Sequence, residues 1–359
     1  MEPNGNTDKP ITDDSTRVSN VFELHTINDK KDHNESESMH TKHHYWKAFL
    51  GITMGLLSGA SLAISDVFAL LCVKIGYSPS QVLLVKSLMM MAITIPLLVY
   101  RKINILKLKR KDTILNIVKS CSENAGDVLF YYSMDGIGMG DATSIAAGTL
   151  PIFAPMFACV FIQEKCKPRD CIGIAINVAG IILISRPEFI FGTAAASSDL
   201  GYMYAVAAGL LVSTGAVCAK AMSDDLSLIV VVFYNGLFGF VIMLIFVYPT
   251  SSDRIYTFIL EYPITTAYLV GMVALFLAYL YSFNRSLQLQ SVGKTSILTN
   301  DCLVVSFIAD VVVFHQELVS LELIGAALII LSSILVFVFT WLETRHTLEE
   351  EAKLLQNPK

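Results

Sequence analysis

The sequence predicts an all-α membrane protein of ten transmembrane helices, built as two inverted five-helix repeats. Three observations predict it: the middle of the chain is almost uncharged, apolar stretches of span length recur along it, and its second half repeats its first. The 359 residues are 54% apolar and 16% charged, where soluble domains carry about 25% charged residues. Residues 1–46 hold nine acids and five bases and residues 342–359 four and three, so the whole net charge of −5 lies in the two ends. The 295 residues between them carry 36 charges, evenly divided in sign. That is too few to solvate a globule, which excludes a soluble domain, a nucleic-acid binder and a disordered chain.

A bilayer core takes roughly 20 mostly apolar residues per helix. Ten stretches qualify, at about 48–72, 79–100, 113–133, 141–162, 169–185, 200–222, 227–248, 264–285, 293–315 and 319–341. Most are apolar on every face, as in Ile229-Val230-Val231-Val232-Phe233. The third contains Lys119, Glu123 and Asp127. Each such charge costs about 2.5–3.5 kcal/mol on insertion scales, so this helix depends on its neighbours, and nine spans is the rival count.

Lysine and arginine set the orientation. Arg101, Lys102, Lys107, Lys109, Arg110 and Lys111 crowd one loop, and Lys165, Lys167 and Arg169 another, while the alternate loops hold Lys74, Arg186 and Arg254. The positive-inside rule then puts both termini in the cytoplasm. No cleavable signal precedes the first span, because residues 1–46 are long and polar. Five of the seven histidines lie there, which reads as a solvated, disordered cytoplasmic tail rather than a metal site. In the cytoplasmic tail 342–359, Glu350 with Leu354-Leu355 fits the acidic dileucine pattern read by sorting adaptors, and fits an amphipathic juxtamembrane helix equally well. On the first reading, a plasma-membrane or endosomal location is favoured over the endoplasmic reticulum or Golgi. The seven cysteines, odd in number and without metal-ligand spacing, read as reduced packing residues.

The repeat has an offset of 153 residues. Ser133 to Ile145 aligns with Ser286 to Leu298, and without a gap Val160-Phe-Ile-Gln163-Glu164 meets Val313-Phe-His-Gln316-Glu317. One deletion later Gly173 meets Gly325. A period this long is no solenoid; it is a duplicated five-helix unit, 47–185 and 199–341. Five is odd, so the second copy enters the membrane inverted. Inverted repeats are a common basis of alternating access, with the substrate site near the midplane between the copies.

A duplicated unit with Gly140-Asp-Ala-Thr-Ser-Ile145, Leu150-Pro-Ile-Phe-Ala154, Phe161-Ile-Gln-Glu164, Gly173 and Gly180 resembles the EamA repeat of the drug/metabolite transporter superfamily. Within it, the chain looks most like the G branch of solute carrier family 35, over residues 47–341. The resemblance implies the ten-helix fold and transport of a small molecule, and leaves the substrate open. Two positions depart from the commoner pattern: Lys86 stands where an arginine is usual, and Val304 where a proline is expected opposite Pro151. No motif commits the chain to nucleotide sugars, which other branches of that family carry.

The candidate site residues are those that are costly in a membrane. Lys119, Glu123 and Asp127 recur every four residues, with Asn116, Ser120 and Tyr131 close to the same face, forming a polar stripe. Such residues normally face a bundle interior or water cavity, paired with each other or with substrate. The aligned residues of the eighth span, Met272, Phe276 and Leu280, are apolar, so the repeated fold does not itself require the stripe. The alternative is a neutralised Lys119–Glu123 pair on a turn near the interface. Lys86 aligns approximately with Tyr234, next to Asn235, and a lysine there is suited to an anionic group. Pro151 and Pro155, with Gly148 and Thr149, mark a kink facing the pathway, since proline deletes a backbone hydrogen bond. Thr299-Asn300-Asp301 is polar at the same depth in the ninth span. Asp66 and Asp310 complete the buried acids, and Asp310 reads as packing rather than pathway. Gly51, Gly55 and Gly59, and Ala205, Gly209 and Ser213, are small at every fourth position, a helix-packing pattern. Glu164 and Glu317 end their helices where a carboxylate complements a helix dipole.

These readings give a secondary transporter of small organic metabolites, anions such as carboxylates, with Glu123 or Asp127 available for proton coupling. The alternatives are a membrane scaffold or regulator acting through its cytoplasmic tails, and a nucleotide-sugar carrier. The sequence holds no nucleophile–base constellation, metal-ligand pattern or cofactor motif, so an enzyme is not expected.

Overall fold

The computed structural model describes residues 14–105, 108–137, 139–164, 168–185, 188–191, 199–223, 226–250, 263–313, 315 and 320–356. These residues fold as helices: α1 Asp14–Ile75, α2 Pro79–Tyr100, α3 Arg110–Ile137, α4 Met139–Phe161, α5 Pro168–Ser185, α6 Asp199–Ala221, α7 Leu228–Thr250, α8 Ile264–Leu289, α9 in two pieces (α9a Val292–Thr299 and α9b Cys302–Val312), and α10 Ser320–Gln356. A single helical turn, Glu188–Phe191, lies between α5 and α6. Seven of the helices are long and apolar enough to cross a membrane by themselves. The other three are α3, α4 and α5. The first carries charges, the second is apolar only over Ile145–Phe161, and the third opens on Pro168-Arg169-Asp170.

Residues 48–343 form one compact unit, and Met1–Lys47 with Thr344–Lys359 another. In the second of these, residues 14–47 are helical, and Arg345 pairs with Glu349 one turn away at 3.0 Å. The side chains of Glu350, Leu354 and Leu355 lie outside the described residues.

The ten-helix unit is turned inside out relative to a soluble protein. Val99, Val160, Met203, Ile245 and Val312 are exposed, while Lys119, Ser120, Asn116, Asn177, Ser213 and Thr295 are buried. Lipid covers an apolar exterior, and the polar groups find partners inside. Local signals set the ends. Ser78 caps α2 in a reciprocal box with Gln81, and Pro79 occupies the first helical position. The fourth helix of each repeat stops beside a residue in the left-handed region, Gln163 (φ 54°) and His315 (φ 54°).

Helix α2 packs on α7, and α3 and α4 both pack on α6. Gly55 of α1 lies against Leu298 of α9a, and Gly209 of α6 against Thr149 of α4. The first helix of each repeat therefore rests on the fourth helix of the other, through the small residues the sequence spaces by four. Cys72, Cys121, Cys171, Cys218 and Cys302 are free thiols. Cys159 is disulfide-bonded, which corrects the expectation that all the cysteines are reduced. An odd total forbids no local bridge, since a bridge requires only two suitably placed Cβ atoms.

Candidate functional site

The α3 stripe forms one side of a polar seam. Lys119 is fully buried, and its ammonium meets Glu123 Oε2 at 2.6 Å. From α7, Asn235 donates its side-chain amide to the same oxygen at 2.8 Å, and its own carbonyl accepts from Asn124 at 3.2 Å. Gly215 of α6 leaves the room that the Glu123 side chain fills. Burying two charges is tolerated when geometry is good and the remaining lone pairs are satisfied. The Lys119–Glu123 pair is formed, with Lys119 buried within the bundle.

Two turns further along the stripe, Asp127 faces Lys86 of α2 at 3.6 Å. The Lys86 side chain is 7% exposed and that of Asp127 39%. The Lys86 ammonium also lies 3.9 Å from the centroid of the Phe276 ring, a cation–π contact. Asp66 of α1 is exposed, yet stands within electrostatic reach of Lys86 and Asp127 on two other helices, so its exposure is to a space between them. Tyr131 lies within electrostatic range of Asp127 and Asp66, and Tyr279 of α8 within that of Glu123, Asp127, Asp66 and Cys302. Helices α1, α2, α3, α8 and α9 therefore converge on one ionic centre.

Helices α4 and α9 cross beside it. Proline has no N–H, so Pro151 leaves the carbonyl of Ala147 without its helical donor. The Asn300 amide, in the break between α9a and α9b, reaches that carbonyl at 3.5 Å and Asn177 Oδ1 at 2.8 Å. Asn177 in turn donates to Ser332 Oγ at 2.9 Å. Around Gly148 there is open space, Thr149 packs against Gly209, and Pro155 against Gly293. Asp301 lies on α1: a Cβ on Gly59 would collide with its Oδ1 and with the carbonyl of Thr299. Ser58 and Thr299 share a hydrogen bond at 2.9 Å across the same contact.

Lys86, Lys119, Glu123, Asp127, Tyr131 and Asn235 thus gather at or beside the centre, and Asn300 and Asp301 at the adjoining crossing. Tyr234 stands apart, in an aromatic row with Phe233 and Phe238. Asp66 was named from the sequence only among the buried acids, and two contributors were not selected there: Phe276 and Tyr279. Phe276 is the repeat counterpart of Glu123, and its apolar character concealed its role as the face that receives Lys86. Asn177 was also missed, a lone amide in an apolar span. The side chain of Asp310 and all of Glu317 lie outside the described residues.

A separate cavity of about 760 Å³ lies at the end of the bundle that carries the 101–111 loop, between α3, α4 and α6. Lys111, Glu164, Lys220, Phe157 and Phe161 line it, and Cys218 on its wall is within electrostatic reach of Glu123 and Lys119. Here Lys220 donates to the carbonyls of Leu287 and Gln290 (2.8 Å to the latter), and Glu164 accepts from the Val292 N–H at 3.2 Å. Glu164 therefore caps α9a, a helix of the other repeat. Among the described residues no group of three or more His, Cys, Asp or Glu could hold a metal ion.

The sequence pattern of the EamA-like transporter family matches residues 49–186 and again residues 199–338. The chain is 23% identical to human (Homo sapiens) solute carrier family 35 member G1 over 269 residues, 71% of this chain and 70% of the relative. The mouse (Mus musculus) protein of that name is 23% identical over 310 residues, 82% and 80% of the two chains. A solved crystal structure of a protein shares the fold with a TM-score of 0.64 at 15% identity, covering 82% of this chain and 98% of that one. Two matched repeats, the helical architecture and solute-carrier relatives make this chain a multi-pass membrane protein of the EamA-like transporter family, in the drug/metabolite transporter superfamily and alongside the G branch of solute carrier family 35.

Proposed function

We propose that the protein is a secondary carrier of small organic anions, carboxylates among them, moved by alternating access between the two repeats. One observation carries the reading: Lys86 is a buried cation held by the aromatic face of Phe276 and by the Asp127 carboxylate at 3.6 Å. That distance is an ion pair rather than a tight hydrogen bond. A substrate carboxylate entering the space beside Asp66 and Asp127 competes with Asp127 for the ammonium, which exchanges one ion pair for another without baring a buried charge. Asn235, Tyr131, Asn300 and Asp301 supply further polar groups near the path, and Gly148 the open space. The lysine and arginine distribution supports cytoplasmic termini, and with the dileucine pattern a plasma-membrane or endosomal site read by a sorting adaptor.

The test is uptake by purified full-length protein in liposomes, with a panel of mono-, di- and tricarboxylates and nucleotide sugars, at two pH values under imposed gradients. Saturable uptake of a carboxylate, lost in Lys86→Ala and partly kept in Lys86→Arg, is expected. Uptake of nucleotide sugars instead, or carboxylate uptake indifferent to Lys86→Ala, overturns the reading. Function lost only on removing the tails would make the protein a scaffold.

A further inference from the structure

We infer that Asp301, in the break of α9, is a proton-carrying carboxyl that bridges to the carbonyl of Thr299 and releases its proton when α1 and α9 separate. The inference deepens the carrier reading above and rests on it for the coupling.

The acids of the bundle differ in what they face. Glu123 holds Lys119 at 2.6 Å and accepts from Asn235 as well, while Asp127 holds Lys86. Each of these two acids thus has a cation to face. Asp66 shares the field of Lys86. Among the described residues, no cation stands beside Asp301. The Cys302 N–H lies against its carboxylate, but Oδ1 is buried without a hydrogen-bond partner.

What Oδ1 does face is another acceptor. The break shifts the backbone pairing: the Leu303 N–H bonds the carbonyl of Asn300, so the Thr299 carbonyl is passed over. A Cβ added to Gly59 would strike the Thr299 carbonyl oxygen and Asp301 Oδ1 together, which makes the two oxygens near neighbours against the α1 backbone. Two neighbouring acceptors with no donor between them repel, and a buried one is costly to leave unsatisfied. A proton on the carboxyl turns the clash into an O–H···O=C bond. A metal cation would relieve it too, but hard cations take about six oxygen ligands. The nearby hydroxyls are committed to one another and to the backbone, with Ser58 bonded to Gly55 and Thr299. One proton suffices where a cation lacks ligands.

Among the described residues, the surroundings contribute no positive charge. On the elements packed here, the titratable groups are Asp66 of α1, Tyr279 of α8 and Cys302 of α9b. Helix α4 presents the carbonyl of Ala147 and α5 the amide of Asn177, neither of which titrates. The contact with α1 consists of Gly55, Ser58 and Gly59, a small-residue surface able to slide. Moving α1 off α9 admits water to Oδ1, the ionised form gains its hydration, and the proton leaves to the side that has opened.

The experiment uses full-length protein in phosphatidylcholine vesicles. Infrared difference spectra taken across a pH titration read the C=O stretch of protonated carboxyls, with no substrate required. The wild type should show such a band, and Asp301→Asn should lack it while keeping its thermal stability, since the new amide can donate to Thr299. In the uptake assay, wild-type rates should fall about tenfold per pH unit on the limb where protonation limits, and Asp301→Asn should be flat with pH. Identical infrared spectra for the two proteins overturn the inference, as does an Asp301→Asn protein with an unchanged pH profile. Failure of the carrier reading looks different: neither protein then takes up any anion, whatever the spectra show.

Discussion

Asn300 donates its side-chain amide to the carbonyl of Ala147, 153 residues earlier, the position that it mirrors in the duplicated sequence. The two fourth helices cross where they are equivalent, and each is irregular there by a different means. In α4 the irregularity is Pro151; in α9 it is the break itself, with Val304 in place of the second proline. Removing the amide orphans the Ala147 carbonyl and Asn177 Oδ1 together. Asn300→Ala is expected to cost about 1–3 kcal/mol for the unsatisfied groups and to lower the midpoint of thermal unfolding. Asn300→Asp should cost more, because it sets a carboxylate against two acceptors. Scanning fluorimetry of the detergent-solubilised protein checks both.

The Lys119–Glu123 pair predicts strong non-additivity. Glu123→Gln strands a buried ammonium, and losing one partner of a buried pair costs about 3–5 kcal/mol. Lys119→Met together with Glu123→Gln should recover most of that loss. A double-mutant cycle in thermal stability measures the coupling, and simple additivity would mean that the pair contributes nothing.

Asp127→Asn tests competition at Lys86. With the standing carboxylate neutralised, the KM for a transported carboxylate should fall by about threefold or more while uptake persists. Lys86→Ala should lose uptake. A rise in KM for Asp127→Asn would show that Asp127 helps to bind substrate rather than compete with it.

Two glycines separate close packing from open space. A Cβ at Gly325 would sit 2.5 Å from the Ile184 nitrogen and 2.7 Å from the Gly180 carbonyl oxygen, and backbone cannot swing aside. Gly325→Ala should destabilise the α5–α10 contact by about 1–3 kcal/mol or more. At Gly148 nothing lies within 4 Å of an added Cβ, so Gly148→Ala should stay within about 0.5 kcal/mol of wild type.

The helices and their duplication were legible because apolar length and a 153-residue offset are one-dimensional signals. Lys119, Glu123 and Asp127 announced themselves the same way, by charge at helical spacing where charge is costly. Phe276 and Tyr279 did not, because an aromatic residue in an apolar span looks like any other until a lysine from another helix is placed against it. The break in α9 was legible only as polarity at Thr299-Asn300-Asp301. Its geometry depends on which backbone N–H groups find which carbonyls, and no residue type there marks a stop in the way that proline does. The Glu164 cap was read as a helix-end carboxylate, but the helix it serves belongs to the other repeat, a pairing that only the assembled bundle defines.

The turn that joins α8 to α9a is gripped from both sides: Lys220 holds its carbonyl end and Glu164 its amide end. These grips anchor α9a, α8, α6 and the end of α4 into one block. Helix α9b, beyond the Asn300–Asp301 break, is outside the clasp. Helix α9 is thus held in two ways: its inner segment is clasped by side chains of both repeats, its outer segment packs through Leu303 on Ile181 and Ile329, and the joint between them rests on Gly59 of α1.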